Sequence, residues 1–462
     1  MFREAVMKRN GGLLSIAVFA VTIFITPFSS LDPINVPKFW LLAAIAEAIC
    51  MLLILDFKTL LGRENWGVLA AAGLVPIFMV IALFVSSAPI SQQLFGTNGR
   101  NTGLLTYFSF GILYIASAVA TNRSMAKFFI IAFSGALGVN AIYGLFQAIG
   151  TDPIKWSNPY TSVIGTLGNP NFAASFLGMG VAFALPFLIS KSTKTKFRVL
   201  SALYILVALF DIFKSDAQQG FIVSILSVGL VGFFWLRSRF ENLIIKYGYL
   251  ALGGVATFIG ILGTLQKGPL ASILYKPSVT YRGDYWHAGL EMMKSNSWFG
   301  VGLDSYGDYY RASRTVEATL RRGPSTVSNA AHNVFIDIGA TAGIFALIAY
   351  LAVIFLGFQA MWRITKQTKN FDPFIVAIFV AWVGFLVQST ISINNIALGI
   401  WGWVLPGLLV GIERWLRNEK PRVDKALDFS SMAMISGLVI GGVIGFLPFN
   451  ADANFRHSIE VG

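Results

Sequence analysis

Apolar residues recur along the whole chain in runs close to the length of a membrane-spanning helix. These runs lie at 13–28, 39–55, 66–85, 103–120, 128–149, 172–189, 197–213, 221–236, 247–265, 333–357, 373–390, 398–412 and 432–448. A hydrocarbon core of roughly 30 Å takes about 20 helical residues, so the pattern predicts an all-α, polytopic transmembrane helix bundle of about 12 or 13 spans. Because the runs continue without a break, one integral membrane domain over 1–462 is predicted.

Lysine and arginine are distributed unequally between alternate connections of the predicted spans. The connections on one side hold 22 of the 35 basic residues, the short ones on the other side hold 5, and loop 266–330 holds 8. Because basic residues accumulate in cytoplasmic loops, this bias predicts a cytoplasmic N-terminus and an extracytoplasmic loop 266–330. The basic start and first apolar run lack a small-residue cleavage site, which predicts an uncleaved first span in the cell membrane.

Composition excludes several other classes of protein. Only 12% of the residues are charged and 55% are hydrophobic, whereas a soluble domain needs about twice that charged fraction. The net charge of +13 sits in short clusters between apolar runs, which favours topogenic signals over nucleic-acid binding. One Cys and three His, with no C-x-x-C, exclude a disulfide framework and argue against zinc, so neither a metal nor a cofactor is expected.

Two short segments on the predicted outer side are more polar than a turn requires. In SQQLFGTNGRNTGLL, 91–105, glycines flank Arg100, which is either a snorkelling side chain or part of an anion site with the backbone. In IGTLGNPNFAASFLG, 164–178, Asn171 is a candidate cap for the following span. A cap does not explain the crowding of Gly, Pro and Asn169 there, and helix N-termini attract phosphate.

Loop 266–330 is the third polar segment and the longest. It is predicted to contain short helices, and 281–296 shows one amphipathic face of Trp286, Leu290 and Met293 at i, i+4 and i+7. Gly289 weakens that helix, because glycine is a poor helix former. Its aromatic residues indicate a helix lying at the membrane interface.

His332 stands at the entrance of the run 333–357 and is a candidate general base. A helix N-terminus disfavours imidazolium, so the ring is predicted to be neutral at pH 7, as a base must be. The alternative is an interfacial histidine that makes a hydrogen bond. Asp337 lies five residues on, about 140° around the helix, so it is not expected to pair with His332.

Five segments together resemble the O-antigen ligase and polymerase superfamily of bacterial envelope glycosyltransferases. They are LDPINVPKFW at 31–40, NGRNTGLL at 98–105, GTLGNPNFAASFL at 165–177, YRGDYWHAGLEMMKSNSWFGVGLDSY at 281–306 and AAHNVFIDIGATAGIFALIAYLAVI at 330–354. The order of the last three, with a long outer loop before His-Asn, carries most of the specificity. With the hydropathy profile, the likeness covers most of the chain.

The resemblance implies transfer of a glycan from a polyprenyl diphosphate carrier to an acceptor hydroxyl of a glycan, lipid or protein. The resemblance also implies that the reaction takes place at the outer face of the cytoplasmic membrane and needs no metal. Arg282 matches the arginine thought to hold the diphosphate, and His332 the histidine thought to serve the acceptor. Many members carry Ser-Arg-Gly where this chain has Gln218-Gln219-Gly220, so a cation is missing. The candidate replacements are Arg100, Lys214, Arg321 and Arg322, and the substrate-binding set implied is Arg100, Asn169, Asn171, Gln219, Arg321 and Arg322.

Two other functions remain open on the sequence. A transporter or flippase of lipid-linked glycans would carry broken spans in two matched halves and charges near the midplane, where only Glu47 is clearly central. A non-enzymatic membrane scaffold would not need Arg282 and His332 at an outer face.

Overall fold

The chain forms a bundle of long helices with a set of short helices at one end. The computed structural model describes residues 2–55, 57–120, 123–156, 163–417 and 430–461. The α-helices are α1 (Phe2–Ile23), α2 (Asn35–Leu55), α3 (Phe57–Leu60), α4 (Trp66–Val85), α5 (Ile90–Phe95), α6 (Leu104–Ala120), α7 (Arg123–Ala148), α8 (Pro170–Ile189), α9 (Thr195–Lys214), α10 (Gln218–Arg239), α11 (Leu243–Thr264), α12 (Ala271–Leu274), α13 (Pro277–Ser295), α14 (Tyr306–Ser313), α15 (Val316–Arg322), α16 (Val334–Gln367), α17 (Pro373–Ser389), α18 (Ile396–Leu416) and α19 (Ser430–Val461).

Each of the thirteen apolar runs predicted from the sequence overlaps one long helix within the described residues, although the run 13–28 extends past the end of α1 at Ile23. Nine helices in that part of the chain are long and apolar enough to cross a membrane. The prediction of an all-α polytopic bundle is therefore confirmed. The predicted run 333–357 is too short, because α16 continues to Gln367.

Helix α18 forms the centre of the bundle. All of its residues from Ile396 to Glu413 are buried, including Trp401 and Trp403. It packs against α6, α16 and α17. At the other extreme, α11 buries only Gly263, so its apolar side chains are left for the lipid. A centrally buried helix of this kind fixes the positions of the helices around it.

The predicted outer connections gather at one end, called here the loop end because it carries residues 266–330. Asn395 caps α18 and donates from Nδ2 to Asn35 Oδ1 at 3.1 Å, and Asn35 Nδ2 donates to Gly99 O at 2.8 Å. Asn98 Nδ2 donates to Asp452 Oδ1 at 3.3 Å. Three connections far apart in sequence are thus joined by side-chain amides and a carboxylate.

Connections rich in Lys and Arg meet at the opposite end. Arg237 donates to the carbonyls of Thr365 and Thr368, and Lys369 pairs with Glu241 at 3.2 Å. Two connections that the charge pattern assigns to the same side are therefore in contact.

The long helix α16 is broken at Gly343, whose φ of +83° and ψ of 177° are not helical. Val301 N and Gly302 N donate to the carbonyls of Ala340 and Thr341 beside the break, at 2.9 and 3.0 Å. A Cβ at residue 343 would lie 2.1 Å from the carbonyl oxygen of Trp298, so only glycine fits. Residues 344–367 still extend about 36 Å, enough to cross a membrane. The break separates from them a short N-terminal segment.

Helix α13 confirms the helix predicted over 281–296, but its buried face is a different one. That face consists of Tyr285, Ala288, Gly289 and Met292. The predicted face of Trp286, Leu290 and Met293 is therefore wrong by one position, and Leu290 is 53% exposed. The helix packs on α14 and α16 rather than leaving its apolar stripe to the membrane interface alone.

Gly289 allows α13 to approach α16 closely. A Cβ at this position would lie 2.5 Å from Ile336 Cγ2 and 3.3 Å from Tyr306 Cε2. The glycine that lowers helix propensity is thus the residue that makes room for the neighbouring elements.

Candidate active site

His332 lies between α13 and the start of α16. Its φ of +52° is in the left-handed region, and the next residue, Asn333, caps α16 by accepting from Phe335 N and Ile336 N. The imidazole is half-buried and stacks on the Tyr285 ring, with centroids 5.0 Å apart and planes at 26°. A long hydrogen bond of 3.5 Å joins Trp286 Nε1 to the His332 carbonyl. Backbone and ring are therefore both positioned by α13.

The surroundings of the His332 ring favour its neutral form at pH 7. Burial of the imidazole, assisted by three nearby arginines, lowers the pKa of His332 to about 4. The three, in decreasing order of effect, are Arg282, Arg100 and Arg322. The lowered pKa supports the predicted neutral ring, and its causes are burial and positive charge rather than the helix dipole alone.

Arg282 is carried by the first half of α13, three residues before Tyr285. Its Nε donates to Ile391 O at 2.9 Å, and Nη1 contacts the carbonyl and hydroxyl of Ser278 at 3.4 and 3.3 Å. Nη2 has no hydrogen-bond partner in the described part of the chain. Burial lowers the pKa of Arg282, yet the group remains charged. The Nη2 atom of the Arg282 guanidinium can therefore donate hydrogen bonds to a ligand.

The arginine pair at the end of α15 also meets α13. The Arg322 guanidinium lies 4.3 Å from the Tyr281 ring centroid and 5.7 Å from that of Tyr285, and it donates to the Tyr285 hydroxyl. Arg321 Nη1 contacts both oxygens of Asp284, at 2.5 and 2.6 Å. Arg321 is thus already paired, whereas Arg322 lies close to the ring that supports His332.

Arg100 is the centre of a buried ionic cluster. Its Nη1 lies 3.3 Å from Asp304 Oδ1 and donates to Asn329 O, while its Nη2 lies 3.3 Å from Asp337 Oδ2. Asp337 Oδ1 accepts from Ala331 N at 3.0 Å, immediately before His332. The two carboxylates raise the pKa of Arg100 against the opposing effect of burial. This guanidinium joins the loop end to the segment that carries His332.

Asn169, Asn171 and Gln219 lie in a second group, on α8 and α10. Asn169 caps α8 by accepting from Asn171 N at 2.9 Å, so the predicted cap at Asn171 is wrong and the helix begins at Pro170. No side-chain hydrogen bond of Asn171 is found among the described residues. Gln219 Oε1 accepts from the Ser175 hydroxyl at 3.2 Å, in a buried position.

The second group connects to α13 only indirectly. Within the described ranges no hydrogen bond links its side chains to Arg282 or His332. Lys276, just before α13, pairs with Asp216 at 3.2 Å, two residues before α10 begins. Lys214, a possible replacement for the missing arginine, lies 5.7 Å from the Phe210 ring centroid.

Two residues of the site, Tyr285 and Asp304, are not predicted as site residues from the sequence. Tyr285 looks like an ordinary loop aromatic, and only the i, i+3 and i+4 spacing to Ala288 and Gly289 points to a buried face. Asp304 sits in a glycine-rich turn with a φ of +54° and accepts from Thr97 N at 2.7 Å. In the sequence, the signal for an ordered turn is the crowding of Gly300, Gly302 and Gly307 around Asp304.

Together these residues offer a neutral imidazole with cationic groups beside it. Neutral imidazole can accept the proton of a hydroxyl, and guanidinium forks bind diphosphate oxygens. In the described residues no three His, Cys, Asp or Glu side chains are grouped as metal ligands. The arrangement suits an anionic leaving group and a hydroxyl acceptor.

The comparisons with known proteins concern this same region. Residues 203–351 match the family model described as O-antigen ligase. The match contains Gln219, Arg282 and His332, whereas Arg100 and Asn169 precede it. None of the curated proteins compared matches the chain.

Proposed function

We propose that this chain, whose residues 203–351 match the O-antigen ligase family model, transfers a glycan from a polyprenyl diphosphate carrier to an acceptor hydroxyl. The family match supports glycan transfer of the O-antigen ligase kind in general. The observation that carries the finer proposal is the neutral, half-buried His332 with Arg282 and Arg322 close enough to depress its pKa.

The reaction forms one bond to the anomeric carbon, breaks another at the same carbon and moves one proton. The acceptor oxygen bonds to the anomeric carbon of the glycan while the bond from that carbon to the diphosphate oxygen breaks. The acceptor proton passes to the neutral imidazole of His332, and the electron pair leaves with the polyprenyl diphosphate. Arg282, through its free Nη2, and Arg322 stabilise the negative charge that builds on the departing oxygen.

The positive charges of the arginines also affect the pKa of His332. Burial, and to a smaller extent the arginines, hold the pKa of His332 near 4 in the free protein, which makes it a weak base. A bound diphosphate neutralises Arg282 and Arg322, so the pKa of His332 rises toward the working pH once the donor is in place. The imidazole then accepts a proton more readily in the complex than in the free protein.

Tyr285 and Arg100 are positioning residues in this proposal. Tyr285 stacks on the imidazole, and Arg100 fixes the backbone before it through Asp337 and Ala331. Because the guanidinium of Arg100 is buried among protein acceptors, we assign it to the support of His332 rather than to contact with the donor. Asn171, whose amide is unengaged in the described part, is the better candidate for donor contact on α8.

We further propose that the N-terminus is cytoplasmic, that loop 266–330 is extracytoplasmic and that the membrane is the cell membrane. The charge bias supports this orientation. A reporter fused after Ser325 should be active outside the cytoplasm, and one fused after Lys366 inside. A cytoplasmic signal from Ser325 would contradict the location of the reaction.

A transporter of lipid-linked glycans is the competing function. Helix α16 is broken at Gly343, as transporter helices can be. Its freed carbonyls, however, are engaged by Val301 and Gly302 of the chain itself, so the break serves the packing of the outer segment. The enzyme is favoured because transport gives no role to a neutral imidazole such as that of His332.

Arg282 provides the test of the proposed function. Purified protein in liposomes is supplied with lipid-linked glycan, extracted from cells that lack the gene, and with candidate acceptors. Arg282→Lys keeps the charge but loses the fork, so transfer should fall clearly, and Arg282→Ala should fall further. Lys294→Ala, on the same helix with a side chain 78% exposed, is the matched control.

Near-normal transfer by Arg282→Ala would remove this residue from the site. Absence of transfer by the wild-type protein with every acceptor, together with movement of intact lipid-linked glycan across the bilayer, would favour the transporter. Transfer should persist in chelator, because the proposal involves no metal. Loss of transfer in EDTA that a divalent ion restores would contradict that part.

A further inference from the structure

A polar cavity of about 400 Å³ opens at the loop end, between α5, α14 and the stretch before α16. Its lining residues are Gln92, Thr97, Asp304, Gly307, Asp308, Arg311, Val327 and Asn329. Its volume is in the range of small-molecule sites, about 300–1,000 Å³. Asp304 and the Asn329 carbonyl also contact Arg100, whereas the other lining residues lie outside the candidate active site.

Three side chains in this cavity keep unused hydrogen-bonding capacity. Gln92 Nε2 donates to Asp308 Oδ2 at 2.9 Å and holds that carboxylate, while Oδ1 has no partner in the described part of the chain. Arg311 makes one long contact, from Nη2 to Ser325 O at 3.4 Å. The Asn329 side-chain amide is unengaged among the described residues. The cavity therefore offers the Asp308 carboxylate as a hydrogen-bond acceptor, the Arg311 guanidinium as a donor and the Asn329 amide as both.

The wall of the cavity depends on Gly307. A Cβ at this position would lie 3.0 Å from Asn329 Oδ1 and 3.4 Å from Asn329 Cα. Glycine thus lets α14 approach the Asn329 segment and brings Asp308 and Arg311 alongside its amide. Neither side chain has an ion-pair partner closer than 4.0 Å in the described ranges.

The charge of the cavity differs from that of the proposed diphosphate site. Asp308 and Arg311 balance each other, and Asp304 is already paired with Arg100. A nearly neutral wall with several short polar groups does not select a diphosphate. It suits a neutral ligand rich in hydroxyls, because carboxylate, amide and guanidinium groups all hydrogen-bond to hydroxyls. Val327 adds an apolar surface for the C–H face of a sugar ring.

We propose that this cavity binds sugar residues of the glycan, apart from the linkage at which transfer occurs. The proposal rests on the proposed function for the source of the glycan. Its position supports the assignment, because Arg100 contacts both Asn329 O and Asp304 on this side and Asp337 on the side of His332. A glycan held here lies beside the cluster that positions the base.

The test separates sugar binding from diphosphate binding. The sugar probe is carrier-free glycan, released by mild acid from the lipid-linked glycan of cells lacking the gene. The second probe is a polyprenyl diphosphate without sugar. Calorimetric titration of wild type, Asp308→Asn and Asn329→Ala in nanodiscs gives both affinities. Glu291→Ala, a carboxylate of the same outer loop outside the cavity, is the control.

Both cavity variants should bind the released glycan about tenfold more weakly, the loss expected for one or two hydrogen bonds. Their affinity for the polyprenyl diphosphate should equal that of wild type, which also shows that they are folded. Wild-type glycan affinity in both variants would overturn the inference, as would absence of glycan binding by wild type. If the variants lose glycan affinity although wild type transfers nothing, the cavity stands and the proposed function fails.

Discussion

Replacing Arg100 by glutamine should destabilise the protein more than most single substitutions. Its guanidinium lies between two buried carboxylates, with Asp304 and Asp337 each 3.3 Å away and their side chains 1% and 10% exposed. Arg100→Gln removes the cation and leaves both carboxylates without an ionic partner. The chain then has to keep buried negative charge or protonate it.

The size of the effect follows from what remains after the substitution. Asp337 retains Ala331 N, and Asp304 retains Thr97 N, so neither loses all of its hydrogen bonds. Removing one partner of a buried pair costs about 3–5 kcal/mol, and this cluster belongs in that range. Asp337→Asn in the Arg100→Gln background removes one unpaired charge and should recover part of the loss.

The assay is reversible unfolding of purified protein in mixed micelles, with donor binding measured in parallel. Arg100→Gln should lower the free energy of unfolding, and the double variant should lie between it and wild type. Where the variant is folded, donor affinity should stay near normal while turnover falls, because the support of His332 is disturbed. Wild-type stability combined with lost donor affinity would refute this reasoning and make Arg100 a direct ligand of the donor.

Two further predictions concern the titration of the base and the break in α16. The value of kcat/KM should fall as the pH drops through about 4 rather than 6.5, because protonation of His332 removes the base and its folded pKa is depressed. The pH at which kcat falls should be higher than the pH at which kcat/KM falls, because bound diphosphate neutralises the arginines. Arg322→Gln should raise the pH at which kcat/KM falls. A fall in wild-type kcat/KM at a pH near 6.5 would contradict the lowered pKa of His332. Gly343→Ala should sharply reduce the yield of folded protein in size-exclusion profiles, because its Cβ meets the Trp298 carbonyl, whereas Gly442→Ala, with open space around it, should behave as wild type. Equal yields for these two variants would show that the break does not require glycine.

Much of the bundle is predictable because its signals are local. Apolar length alone gives the long helices, since every backbone group in lipid must be satisfied within the segment. The break in α16 is not predictable in this way. No feature of the sequence ATAGIF, residues 340–345, predicts the break. The break depends on the carbonyl of Trp298 and the amide groups of Val301 and Gly302.

The candidate site is less predictable because its contacts span long distances in sequence. Arg100 was identifiable as an unusual outer cation, but Asp304 and Asp337 lie more than 200 residues further along the chain. The buried face of α13 was misassigned for a similar reason. Periodicity alone does not reveal that α16 and Tyr306 crowd Gly289, so in the sequence this glycine indicates only a weaker helix.

His332 allows the most direct test of the proposed transfer reaction. Transfer from purified lipid-linked glycan in liposomes is measured for wild type and His332→Ala, with donor affinity determined for both. Loss of the base should lower the rate by about 10²–10⁴-fold and leave donor affinity nearly unchanged, because the arginines hold the diphosphate. His332→Gln should retain an intermediate rate if orienting the hydroxyl contributes. Equal rates for wild type and His332→Ala would contradict the catalytic role and leave His332 as a stacked interfacial side chain.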